Sequence, residues 1–320
     1  MKKVWTGLAF WALAALASLF LGAAALSPME LLTGADTTAG RIFLYVRLPR
    51  TAACLLAGGA LSVAGCVIQN VLANPLASPN IIGVNAGAGL AVTVCCALGC
   101  LSGWAMAGAA FGGAFLAVLA VSLAAEWAGG SQTAVILSGV AMNAFLGAMS
   151  DAVTDLVPEA AAMSADFRVG GFGAVVPARL IPAGILILLA LGAVLLLHRE
   201  LEVLSLGEDL ARSLGVNARR MRTVFLALAA LLCGAAVSFA GLLGFVGLIV
   251  PHALRRFAGT ECRVLLPLAA IWGGAFVTVC DLLARLAFRP QELNVGILLS
   301  ALGGPFFLYL LSKRGGGQDA

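Results

Sequence analysis

Runs of apolar residues, each about as long as a helix needs to cross a lipid bilayer, recur along this chain with only short polar turns between them. About 20 such residues are needed, because the hydrocarbon layer is about 30 Å thick and each helical residue rises about 1.5 Å. Breaking the hydropathy at charges, prolines and glycine clusters gives ten candidate spans, at roughly 4–26, 51–71, 81–101, 104–127, 134–154, 179–198, 221–243, 244–258, 264–287 and 295–312. With 62% hydrophobic and 11% charged residues, nothing is left over for a soluble domain. The expectation is an all-α integral membrane protein, one polytopic domain over residues 1–320, with a cytoplasmic connection at about 200–220.

Lys2 and Lys3 followed by an apolar stretch ending near Ala23-Ala24-Ala25 also fit a cleaved signal peptide. The run is longer than a signal core, and the rest of the chain is itself membrane-embedded, so a first span is favoured. With the N-terminus inside, 12 of the 19 basic residues fall on the cytoplasmic side, among them Arg199, Arg212, Arg219, Arg220, Arg222, Arg255, Arg256 and Arg263. Arg41, Arg47, Arg50, Arg168, Arg179, Arg285 and Arg289 are left outside. That bias fixes the orientation. The net charge of +4 then reflects topology, and no nucleic-acid partner is expected. The eight cysteines lie mostly in apolar runs with no CxxC pair, which fits packing better than a disulfide or metal framework. A thiol site at Cys95, Cys96 and Cys100 is the alternative.

Sliding the sequence against itself by 176 residues aligns 53–65 with 229–241, with eight of 13 positions identical. The same offset pairs Pro75 with Pro251 and Gly83 with Gly259. The paired spans are five crossings apart and so run in opposite directions. This is an inverted repeat, spans two to five against seven to ten, as transporters often carry.

The only lysines are Lys2, Lys3 and Lys313, and none sits in a GxxxxGK[ST] loop. Any ATP must therefore be handled by a partner. In the loop Leu206 to Asn217, Gly207 can open a short helix, Glu208 and Asp209 suit its first turn, Leu210 and Leu214 share a face, and Gly215 stops it. Such a helix is either a surface-lying connector or a knob that docks into a soluble partner.

Several motifs occur in order: Arg47-Leu48-Pro49-Arg50, then Gly65-x3-Gln69-x4-Asn74-Pro75-Leu76-Ala77-x-Pro79-x3-Gly83, then LGEDLARSLGV at 206–216. Gly244-Phe245-Val246-Gly247-Leu248-Ile249-Val250-Pro251-His252 and Gly303-Gly304-Pro305-Phe306-Phe307 follow. Together they resemble the FecCD family, the permeases of ABC importers for iron-siderophores, haem and cobalamin. The resemblance covers about residues 41 to 312. It implies a type II importer permease in the cell inner membrane, pairing with a second, identical permease subunit. Two cytoplasmic ATP-binding subunits would sit below and a substrate-binding protein above, with alternating access carrying the metal chelate inward. It also implies ATPase coupling through Gly207, Glu208, Ala211, Leu214 and Gly215, and binding-protein docking through Arg47, Arg50 and Arg285. For Arg47 and Arg50 the alternative is anchoring to lipid headgroups; for Arg285 it is an i,i+4 pair with Asp281. Gln132 and Thr133 match the cytoplasmic gate, although any polar turn after Gly129-Gly130 would look alike.

His252 invites a haem- or metal-ligand role, but its place at an inner span end beside Arg255 and Arg256 favours a structural or coupling one. No His, Asp and Glu cluster has ligand or acid-base spacing, so neither catalysis nor a cofactor is expected. The rival is an ion-coupled secondary transporter. It would want acids in mid-span, whereas Glu126, Asp151 and Asp155 fall near span ends.

Overall fold

The computed structural model describes residues 2–22, 37–287 and 291–315. The end of the first expected span, Ala23 to Leu26, and Arg289 lie outside the described residues. The helices are α1 (Lys2–Phe20), α2 (Thr38–Val71), α3 (Val84–Ala97), α4 (Gly103–Trp127), α5 (Gln132–Leu156), α6 (Pro158–Val169) and α7 (Pro177–Leu196). They continue as α8 (His198–Ser205), α9 (Glu208–Ser213), α10 (Ala218–Ala240), α11 (Val246–Ala258), α12 (Cys262–Ala287) and α13 (Val295–Gly315). Among the described residues there is no strand.

Among the described residues seven helices, α1, α2, α4, α5, α7, α10 and α12, are long and apolar enough to cross a membrane. With the shorter α3 and α11, and with α13, they fall at the ten expected spans. Exposed Trp104 and Trp127 mark the two ends of α4, where amphipathic indole rings sit in a membrane interface. Two elements were not legible as spans: α6, whose composition is too polar, and α8, which extends the connection between α7 and α10.

The repeat appears as a recurring order of lengths. Helices α2 to α5 have 34, 14, 25 and 25 residues, and α10 to α13 have 23, 13, 26 and 21. The residue pairing at the 176 offset holds along α2 and α10 and slips beyond them. Pro75 lies in the loop after α2, whereas Pro251 is inside α11. The first half carries an additional segment there, ending in a short 3-10 turn at Pro79–Ile82.

Helix α2 runs through the middle of the bundle, with 83% of its apolar window buried, against 67% for α10, 61% for α12 and 22% for α5. It packs on α12, α10 and α11. Lipid tails are as apolar as leucine side chains, so helix association in a membrane depends on close van der Waals approach between small residues. A methyl group on Gly58 would overlap the Gly273 carbonyl, and one on Gly273 would overlap the Gly58 carbonyl. Upstream, a wide π-helical turn at Phe43–Arg47 precedes Pro49 and absorbs its missing N–H without ending the helix.

Candidate functional site

The connection between α7 and α10 is held by two glycines. Gly207 (φ +105°) separates α8 from α9, and Gly215 (φ +78°) closes α9, both in backbone conformations that other residues rarely adopt. The N–H groups of Gly215 and Val216 return to the carbonyls of Arg212 and Ala211 at 3.0 and 2.9 Å, a Schellman closure. Ala211 is fully buried and seats the loop on the bundle, while Leu206, Leu210 and Leu214 are 57, 55 and 58% exposed. Glu208 opens α9; its side chain lies outside the described residues. Exposed leucines thus stand along this short helix, Leu210 on α9 itself and Leu206 and Leu214 at its two flanks.

The loop feeds directly into α10, capped by Asn217, whose Oδ1 accepts the Arg220 N–H at 3.0 Å. One turn on, Arg222 is nearly buried and donates to the carbonyl oxygen of Gly130. Gly130 belongs to the turn between α4 and α5, where Ser131 caps α5 by accepting the Ala134 N–H at 3.0 Å. Gln132 and Thr133 are the first residues of α5, Gln132 half-buried and Thr133 exposed. The residues matched to the gate therefore sit beside the helix that leaves the 206–217 loop.

The three arginines matched to docking come together, but inside the bundle: Arg47, Arg50 and Arg285 are 4, 8 and 3% exposed. Arg47 Nη1 donates to the Leu19 and Phe20 carbonyls at 2.9 and 2.8 Å, satisfying orphan acceptors at the end of α1 and opposing its dipole. Arg50 grips the fully buried Asp281 through Nε (3.2 and 3.1 Å) and Nη2 (2.9 Å), and Glu292 through Nη1 (2.6 Å). Arg285 lies 3.0 Å from Asp281 Oδ2 and donates through Nη2 to Ser18 Oγ at 2.7 Å. The i,i+4 pairing anticipated for Arg285 is present. Unforeseen was that Arg50, 231 positions away, shares the same carboxylate. The reason is that α2 starts at Thr38, well before residue 51, so Arg47 and Arg50 fall within a packed helix.

Residues 10–313 match the model of the FecCD transport family. The chain belongs to that family. It is similar to the hemin transport system permease protein HmuU of Yersinia pestis, 36% identical over 307 residues, 94% of this chain and 92% of the relative. It is likewise similar to the vitamin B12 import system permease protein BtuC of Shigella sonnei, 37% identical over 316 residues, 95% of this chain and 92% of the relative. A solved metal-chelate type ABC transporter in an inward-facing conformation superposes with a TM-score of 0.87 at 26% identity, covering 98% of this chain and 99% of that one. This FecCD protein is thus a multi-pass membrane permease subunit of an ABC transporter and not an enzyme.

The motif glycines and glutamine of this FecCD permease have structural duties. Gly65 crosses Gly247 so closely that a methyl on either would meet backbone. Gln69, 2% exposed, donates through Nε2 to the carbonyls of Ala77 (3.1 Å) and Gly247 (3.0 Å), while its Oε1 accepts from Arg255. One side chain thereby ties α2, the loop after it and α11. His252 packs edge-on against Phe306 at 5.8 Å between centroids, joining α11 to α13. Among the described residues no cluster of three His, Cys, Asp or Glu could hold a metal ion. Cys95 and Cys100 are the partly or fully exposed cysteines; the others are buried.

Proposed function

We propose that this FecCD permease is the membrane half of an importer in the inner membrane. It pairs with a second identical copy around a central pathway and carries a metal chelate, an iron-siderophore, haem or cobalamin, by alternating access. The observation that carries the reading is the exposed Leu206, Leu210 and Leu214 on and beside a short helix whose Ala211 is fully buried. Leucines held in water want a partner groove, here that of an ATP-binding subunit. Relatives named for hemin, vitamin B12 and achromobactin transport support the cargo class. One complete ten-span unit per chain supports the homodimer.

ATP-driven movement of these leucines would reach the α4–α5 turn through α10 and Arg222, and so shift Gln132 and Thr133 at the inner gate. The binding protein would dock over the arginine cluster. Glu292, 38% exposed at its side chain, is the member in reach of water. An incoming carboxylate could replace it at Arg50, with Arg47 and Arg285 holding the shape. Ion coupling has little support, since the buried acid Asp281 is already paired with Arg50 and Arg285.

Leu214→Asp tests the reading. A charge in that contact costs about 2–4 kcal/mol of docking free energy. The expected result is a permease that inserts normally, loses its co-purifying ATPase and transports nothing. Normal co-purification and transport would refute the docking assignment.

A further inference from the structure

A polar cleft of about 460 Å³ opens where α3, α6, α11 and α13 meet, lined in part by Asn80, Asn85, Arg168, Gly244, Phe245 and Ser300. A smaller one of about 230 Å³ shares Asn85 and Arg168 and adds Asp151 of α5. The walls are partly irregular backbone. The Leu242 N–H bonds to the Phe167 carbonyl at 2.9 Å and the Gly296 N–H to the Gly170 carbonyl at 3.2 Å. Non-helical backbone at membrane depth is tolerated where protein or a water-filled cavity satisfies it.

Arg168 stands between the two clefts. Its Nη2 donates to Ser150 Oγ and, at 3.3 Å, to Thr93 Oγ1, both on buried residues, so the guanidinium is fixed in place. Ser150 lies six residues before the end of α5, about 9 Å of helix below it. Arg50 and Arg285 share the carboxylate of Asp281; Arg168 has no carboxylate partner among the described residues. The side chains of Asn80, Asn85 and Ser300 also make no hydrogen bond among the described residues. Arg168 is exposed, so its guanidinium is held by two buried hydroxyls on one side and left open to the cleft on the other, placed to meet an anion that enters it. The larger cleft has no acid in its lining, so an anion can approach Arg168 from that side.

We infer that the larger cleft is a cargo-binding site for an anionic group, and that Arg168 makes the charged contact to a carboxylate of the chelate. Asn85 and Ser300 supply hydrogen bonds beside it. The site therefore selects chelates that keep free carboxylates, such as the propionates of haem or a polycarboxylate iron complex, over neutral ones. This rests on the importer reading and deepens it by naming the class of cargo.

The probes are hemin and hemin dimethyl ester, which differ in the carboxylates and share the ring and iron. They are titrated into the full chain, in complex with its partners in nanodiscs. The wild type is expected to bind hemin about tenfold more tightly than the ester, as a hydrogen bond to a charged group implies. Arg168→Gln should erase that ratio, and Arg168→Lys should restore part of it. Ser300→Asp, which leaves Arg168 and its partners in place, should erase it as well. If Arg168→Gln does not fold, the Ser300→Asp ratio decides. Equal binding of the two probes by the wild type, or a ratio unchanged in the variants that fold, overturns the inference. The importer reading is scored separately, by the ATPase that co-purifies with the wild type.

Discussion

Asp281 of α12 holds Arg50 of α2 directly and orients Arg285, which reaches α1 through Ser18, and its replacement by asparagine isolates the electrostatic part of that work. The change is nearly isosteric and opens no cavity. It leaves Arg50 and Arg285, both almost fully buried, facing each other without the carboxylate they share. Breaking a buried ion pair from one side costs about 3–5 kcal/mol, because the remaining charge stays desolvated. Here two cations are stranded, while Glu292 at 2.6 Å still compensates Arg50, so about 3 kcal/mol is the expected loss. The assay is thermal unfolding in nanodiscs followed by the five tryptophans, where a loss of that size lowers the apparent Tm by about 4–5 °C for a chain of 320 residues. Asp281→Asn with Arg285→Gln should recover part of the loss, since one stranded cation is gone. Glu292→Gln, at a half-exposed side chain, should cost only about 0–1 kcal/mol. A Tm for Asp281→Asn within about a degree of wild type would show that water reaches the cluster and that the burial argument fails.

Other consequences are open to direct measurement. Arg222→Ala should leave ATPase binding intact, since the exposed leucines are untouched, yet cut transport per ATP hydrolysed; transport still matched to hydrolysis would remove Arg222 from the coupling route. For topology, a cysteine at Gly207 should react with an impermeant reagent only from the cytoplasmic side and one at Gln291 only from the other, in a cysteine-free background. Reaction of both from one side is incompatible with ten spans. Gly58→Leu should prevent stable assembly, because a side chain there meets the Gly273 backbone rather than a movable group. Normal yield of that variant would mean that α2 and α12 can separate.

The apolar spans were legible because the bilayer imposes them locally. A crossing needs a certain apolar length, and among the described residues seven of the expected runs meet it as single helices by themselves. The glycines at 207 and 215 were equally readable, since a helix end at positive φ is a property of a few adjacent residues. The fate of Arg47, Arg50 and Arg285 was not. Their neighbours in sequence suggest an exposed basic end, and only the packing of α2 against α12 brings Asp281 within reach and shuts water out. The same holds for Gln69, whose partners Ala77 and Gly247 belong to different elements, and for Arg168, held by Ser150 and Thr93 from two other helices. Whether a charged side chain faces water, an ion partner or an empty cleft depends on which helices touch. In a membrane that is decided by close fit between distant small residues, which no window of local sequence contains.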